Sequence, residues 1–151
     1  MSSQAKKVEI FTDGACLGNP GPGGYGVILR YNGIEKELSG GEPHTTNNRM
    51  ELLAAIAGLS CLKERCCVTL YSDSQYLINA INNGWAEKWQ ANGWMRNKKE
   101  PAVNSDLWQQ LLILLKQHDV TLIWVRGHSG HPENERCDAL AVAFANNLKN
   151  L

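Results

Sequence analysis

The sequence predicts an α/β fold, a mixed five-stranded sheet with helices on both faces. Three observations carry this. Before Asn47, strand patterns alternate with tight turns, and Asn32-Gly33 stands between two of them, the strongest short hairpin signal. From Asn47 the apolar spacing changes from a period of two to a helical one. Beyond that helix, the remaining strand patterns are separated by helical stretches, as parallel crossovers require.

Taken in order, residues 8–12 are a β-rich run ending at Asp13-Gly14, and turn-rich LGNPGPGG follows. Residues 25–31 form a second strand, and IEKEL after Asn32-Gly33 a third. Met50, Leu53 and Ala57, with Leu52, Ile56 and Leu59, mark the first helix. Residues 68–71 return to strand, and Ser72-Asp73-Ser74 is a strand-to-helix junction. A helix runs on through Ala80 and breaks near Gly84. Trp85 and Trp89, four apart, begin another short helix that ends by Asn92-Gly93. Residues 95–101 are polar and basic, a loop. Ser105 and Asp106 can cap a helix carrying Leu107, Leu111 and Leu114. Residues 121–125 are the last strand, and Pro132 opens a final helix with Cys137, Leu140, Ala141 and Phe144 inward. The order is β-β-β-α-β-α-α-α-β-α, one domain over residues 1–151.

Length and composition exclude several classes. The 151 residues suffice for a core without disulfides or structural metal. A chain that is 43% hydrophobic and 20% charged is neither disordered nor collagen-like. Fifteen basic and fifteen acidic side chains cancel, so attraction to polyanions must come from local segregation of charge. No signal-peptide stretch follows the N-terminal basic residues, and the longest aliphatic run, Leu111 through Leu115, is far too short to span a bilayer. Five cysteines fit no disulfide framework, and Cys61, Cys66 and Cys67 lack the paired spacing of a zinc site. A reducing, cytoplasmic setting and a monomer are expected, with no membrane partner.

Four carboxylates lack obvious structural partners. Asp13 and Asp73 end strands, and the carboxyl ends of strands are where open α/β sheets bind ligands. Glu51 lies in the first helix among Asn47, Asn48, Ala54 and Ala55. Asp138 lies in the last among Asn134, Glu135, Ala141 and Val142. Neither has a basic partner one turn away. Each has a plain structural alternative: a capping box from Asn48 to Glu51, an N-cap at Asp73, a turn at Asp13, a solvated helix edge at Asp138. If the four converge, their repulsion needs cations, and oxygen-only ligands select Mg²⁺ or Mn²⁺ over zinc. Two such ions about 3.5–4 Å apart suit phosphodiester hydrolysis.

The segments IFTDGACLGNPGPGGYG, TTNNRMELLAA, YSDSQY and VRGHSGHPENERCDALA resemble, in order and spacing, the motifs of bacterial type 1 ribonuclease H across residues 8–145. That resemblance implies a ribonuclease H-like sheet and an endonuclease that cuts the RNA strand of RNA–DNA hybrids, leaving 5′-phosphate and 3′-hydroxyl ends. It also implies two Mg²⁺ ions on Asp13, Glu51, Asp73 and Asp138. It places a catalytic histidine at His128, for proton transfer or product release, and leaves His131 a structural role.

RNA is marked by 2′-hydroxyls in a wide, shallow minor groove, which amide side chains can match. The resemblance assigns groove contacts to Asn19, Asn47, Asn48 and Gln75, and a DNA-phosphate contact to Thr46, although a helix cap reads the same from sequence. Trp85 and Trp89, with Lys98 and Lys99, match a basic handle that grips the DNA strand. Gln90, Ala91 and Asn92 stand where relatives commonly carry lysine and arginine. From residue 84 to 99 the local charge is nevertheless +3. A non-cutting hybrid-binding module and another polynucleotidyl transfer enzyme on a related fold are the competing readings. The four acids with His128 disfavour the first, and the short length with the asparagine pair disfavours the second.

Overall fold

The computed structural model describes residues 5–127 and 131–151; His128 lies outside them. Ten elements follow in order: β1 (Lys6–Cys16), β2 (Gly21–Tyr31), β3 (Ile34–Thr45), α1 (Asn47–Ser60), β4 (Cys66–Ser72), α2 (Gln75–Asn82), α3 (Trp85–Ala91), α4 (Ser105–Gln117), β5 (Asp119–Trp124) and α5 (Pro132–Lys149). They form one five-stranded sheet in the order β3-β2-β1-β4-β5, the expected mixed topology. β1, β2 and β3 pair antiparallel, and β4 and β5 add in parallel. Asn32 and Gly33 both take positive φ, 54° and 77°, the backbone that a two-residue hairpin matching strand twist demands.

Helices cover both faces. On one, Ile10, Val27, Leu29, Val68 and Leu70 pack against Leu52 and Leu59 of α1, Leu77 of α2, and Trp108 and Leu111 of α4. On the other, Phe11 and Ile28 pack against Cys137 of α5. α5 lies directly on the backbone of β2. A Cβ at Gly24 would come within 2.2 Å of the Ala141 carbonyl oxygen, and one at Gly26 equally close to that of Cys137. These glycines are required by close approach, and α5 reaches the sheet only because they lack side chains.

Several expected boundaries move. β1 does not end at Asp13 but runs on to Cys16, Gly14 pairing with Tyr25, so Asp13 stands inside the strand and in no turn; β2 correspondingly starts at Gly21, and β3 runs on to Thr45. α4 is capped by Asn104, in the left-handed region at φ 63°, not by Ser105 or Asp106. Asp106 is instead engaged by Arg49 of α1, Nη2 to Oδ2 3.0 Å. β5 begins at Asp119, earlier than the apolar pattern suggests. The Cys66 N–H donates to His118 Nδ1 at 3.1 Å, which joins β4 and β5 ahead of the first apolar pair. Among the described residues, no helix is long and apolar enough to cross a membrane.

Candidate metal centre

The strand ladder sets the first two acids side by side. Phe11 pairs with Tyr71 in the parallel β1–β4 ladder, their rings stacked 4.8 Å apart. Asp13 and Asp73 each lie two residues further on, at matching positions on the same face. The junction after β4 leaves Asp73 free of capping. Ser72 Oγ accepts from the Ser74 N–H at 3.0 Å, and Ser74 Oγ accepts from the Leu77 N–H at 3.1 Å, so Ser74 is the N-cap of α2. At α1 the cap is Thr46, whose Oγ1 accepts from the Arg49 N–H at 3.3 Å. The capping-box alternative for Glu51 and the N-cap alternative for Asp73 are therefore not what the chain adopts.

Gly14 brings Glu51 in. A Cβ there would stand 2.7 Å from the Glu51 backbone nitrogen, so only a bare backbone lets β1 run this close to α1. Asp13, Glu51 and Asp73 each offer a carboxylate oxygen, all within 4.8 Å of one another. Asp138 stands outside this trio, half-buried on α5, but lines the same cleft of about 420 Å³ with Asn47, Asn48, Gln75 and Tyr76.

The cluster is electrostatically costly. Burial first, then the neighbouring Asp73 and Asp138 charges, pushes Asp13 up to about 8, although the Gly14 N–H donating to Oδ1 at 2.8 Å works the other way. Burial, with Asp13 and Asp73 beside it, holds Glu51 well above the carboxylate range. Glu51 Oε1 is buried with no hydrogen-bond partner among the described residues, and a buried polar atom of that kind needs an explanation. A hard divalent cation supplies one. It would neutralise the repulsion and take up the orphaned oxygen, and an all-oxygen donor set suits Mg²⁺ or Mn²⁺.

The remaining sequence-singled residues divide. Asn47, Asn48 and Gln75 line the cleft with exposed side chains. Asn19 is exposed beside it, its Oδ1 accepting from the Asn47 N–H at 2.9 Å and tying the turn to α1. Trp85 is exposed, whereas Trp89 is half-buried with its ring 6.0 Å from that of Trp108, a packing role at the base of the handle. Lys98 and Lys99 are exposed, but Arg96 is held by Glu100 at 2.7 Å. Counting Glu100, the local charge over residues 84–100 falls to +2. His131 has the expected structural role. It caps α5, its Nδ1 accepting from the Asn134 N–H at 3.2 Å, and its ring packs near Phe11 and Tyr71.

Sequence reasoning missed two kinds of residue. Gly14 and Gly127 both abut the acids, and a glycine directly after a candidate acid in a β-rich run was the available signal for the first. Asn104 falls between the loop at 95–101 and the cap candidates Ser105 and Asp106 and has no role assigned from sequence. Its Oδ1 accepts from Arg49 Nη1 at 3.4 Å and its Nδ2 donates to the Tyr76 hydroxyl at 3.3 Å, linking the handle's exit to α1 and the cleft.

The RNase H family model matches residues 5–146. Ribonuclease H of Desulforamulus reducens is 65% identical over 144 residues, 95% of this chain and 91% of that protein. Ribonuclease H of Syntrophus aciditrophicus is 67% identical over 140 residues, 93% of this chain and 81% of that one. Among solved structures, LC9-RNase H1, described as a type 1 RNase H with the type 2 active-site motif, superposes with a TM-score of 0.85 at 33% identity, covering 95% of this chain and 74% of its own. LC11-RNase H1 in complex with RNA/DNA hybrid, 20% identical with a TM-score of 0.69, shares the fold over 93% of this chain and 97% of its own.

Proposed function

The chain belongs to the ribonuclease H family, and from that premise we propose that the cleft bounded by Asp13, Glu51, Asp73 and Asp138 is where it hydrolyses the RNA strand of RNA–DNA hybrids. The observation that carries this site is the mutual approach of three carboxylates around a buried Glu51 Oε1 unpartnered among the described residues. The family implies divalent-metal use. The finer reading is two Mg²⁺ ions, replaceable by Mn²⁺, held by these four acids. Bound there, such ions supply charge stabilisation at the phosphate and an activated water at neutral pH.

The chain's own groups do the rest. Asp13 projects from within β1 and Asp73 from the residue just after β4, on adjacent strands of a rigid sheet, which holds ligand geometry tightly. Glu51 closes the site from the α1 side, and Asp138 faces the cleft from α5. Asn47, Asn48 and Gln75 line one wall, and their amides can both donate to and accept from a 2′-hydroxyl, which DNA lacks. Asn19 extends that wall. Thr46 is already half-committed as a cap, so a phosphate contact from its hydroxyl would be shared. Trp85, Lys98 and Lys99 form the proposed DNA-strand contact, with Trp89 supporting them from beneath. As water adds to the phosphorus, the bond to the 3′ oxygen breaks, and that oxygen needs a proton. His128 is the proposed source, imidazole being a side chain that can carry and release a proton.

The reading treats residues 1–151 as one catalytic domain acting as a cytoplasmic monomer. The single sheet supports the first part. Five free cysteines suit a reducing compartment. The exposed large apolar residues are spread out: Tyr31 and Ile34 at the β2–β3 hairpin, Trp85 on α3, Val103 before α4, Ile113 on α4, and Ile123 and Trp124 on β5 at the opposite edge of the sheet. The deciding experiment offers end-labelled RNA–DNA hybrid, duplex RNA, duplex DNA and single-stranded RNA, with Mg²⁺ or with EDTA. Cleavage confined to the hybrid's RNA strand and lost in EDTA is expected. Undiminished cleavage in EDTA, or cutting of duplex DNA, would overturn the reading.

A further inference from the structure

We propose that Gly127 is a positioning residue for Asp73: its missing side chain leaves the space in which the Asp73 carboxylate stands beside Asp13 and Glu51. The inference rests on the reading of Asp73 as a cation ligand and adds a residue that directs it. A Cβ built at Gly127 would lie 2.8 Å from Asp73 Oδ2 and 3.6 Å from both Cβ and Cγ of the same side chain. The backbone does not itself demand glycine, because φ at residue 127 lies outside the left-handed region. Space is what demands it.

The Asp73 backbone is not free to move away. The β4–β5 ladder runs to the pair Ser72–Trp124. Just beyond it the Val125 N–H donates to the Ser72 carbonyl at 2.9 Å, and Trp124 Nε1 donates to the Asp73 carbonyl at 3.2 Å. Residues 124 and 125, the latter two positions before Gly127, are thus tied to residues 72 and 73, and a methyl at 127 meets a short side chain whose own backbone is pinned. The carboxylate must turn away by several tenths of an ångström, out of the arrangement that places three acid oxygens within 4.8 Å of one another.

The test titrates Mg²⁺ alone, without substrate, into wild type, Gly127→Ala, Asp73→Asn and His128→Ala by calorimetry. Tm is measured in EDTA and in Mg²⁺. Gly127→Ala should weaken ion binding about 10- to 100-fold, the range for groups that orient metal ligands. It should also reduce the Mg²⁺-induced rise in Tm and move the Mg²⁺ dependence of hybrid cleavage to higher concentration. His128→Ala, altered at the next residue of the chain, should bind ions as wild type does, which separates an effect through Asp73 from a general effect of substitution at this point of the sequence. If Gly127→Ala lowers Tm in EDTA, adding Asp73→Ala should restore it, because the clash is with that side chain. Wild-type ion binding by Gly127→Ala beside weakened binding by Asp73→Asn, or failure of Asp73→Ala to restore Tm, overturns the role of Gly127 alone. Wild-type ion binding and cleavage by Asp73→Asn overturns the underlying site.

Discussion

Burial places the Asp13 carboxyl at about 8, and this fixes how the site responds to pH. An acid whose folded pKa lies above its unfolded value binds its proton more tightly in the native state. Its contribution to stability is then lost as pH rises from about 4, where the unfolded carboxyl ionises, through about 8. Without added cations, the wild-type Tm should therefore fall across that window, and Asp13→Asn should flatten the decline. Glu51, raised for the same reason, keeps some slope in the variant. Mg²⁺ should restore the Tm of wild type at the alkaline end far more than that of the variant. Cleavage by Asp13→Asn should fall about a hundredfold or more, since a charge that holds the ions is gone while size and shape remain. Parallel Tm–pH curves for the two proteins would show that Asp13 does not carry the buried charge. These acids were legible in the sequence because strand parity and helical i±4 arithmetic locate a carboxylate without a partner. The glycines facing them were not, because the 2.7 Å that a Cβ at Gly14 would leave to the Glu51 nitrogen depends on how two elements cross in space.

α5 carries Asp138, and its seat is the bare backbone of β2. A methyl at Gly26 would lie 2.2 Å from the Cys137 carbonyl oxygen and 2.8 Å from Leu140 Cβ, and a helix backbone cannot yield without lifting. Gly26→Ala should cost about 1–3 kcal/mol in urea unfolding, the range for overpacking, or more if α5 shifts as a body. Hybrid cleavage should also drop, because Asp138 moves with the helix. Gly58 in α1 gives the contrast. There an added Cβ meets side-chain methyls of the packed core, Ile10 Cγ2 at 2.8 Å and Val27 Cγ1 at 3.2 Å, and no helix backbone, while alanine gains about 1 kcal/mol in helix propensity. Gly58→Ala should therefore cost less than Gly26→Ala, about 0–2 kcal/mol, the overpacking being partly offset by propensity. Equal costs at both sites would mean that α5 is not seated on β2 as described. Elements were easier to read than their ends. All ten follow from hydrophobic period and the Asn32-Gly33 turn, but Asn104 as the cap of α4 does not. A left-handed asparagine held by Arg49 and Tyr76 depends on partners remote in sequence.

At the scale of the whole molecule the charges cancel, so a polyanionic hybrid is held by local cations only. The handle is thinly supplied with them. Arg96 is paired with Glu100, leaving Lys98 and Lys99 as its exposed loop lysines, and Gln90, Ala91 and Asn92 are exposed and uncharged. These three positions form the end and C-cap of α3, which packs on α2 and α4 and does not line the acid cleft. Lysine there suits the negative end of the helix dipole, so replacing all three should leave the fold intact. Each lysine that reaches a phosphate releases a counterion and contributes roughly −0.9 to the slope of log K against log salt, a value for B-form DNA that a hybrid should approach. The triple variant should therefore bind hybrid more tightly at low salt and steepen the slope by up to about 3 units. Turnover at saturating hybrid should barely change, because the added charges stand away from the carboxylates. The measurement is hybrid affinity from low to moderate salt with Ca²⁺ replacing Mg²⁺ to suppress cutting, together with kcat in Mg²⁺. A steeper slope with unchanged kcat assigns residues 85–99 to backbone contact. An unchanged slope would mean that α3 never reaches the nucleic acid, and the proposed roles of Trp85, Lys98 and Lys99 would fall with it.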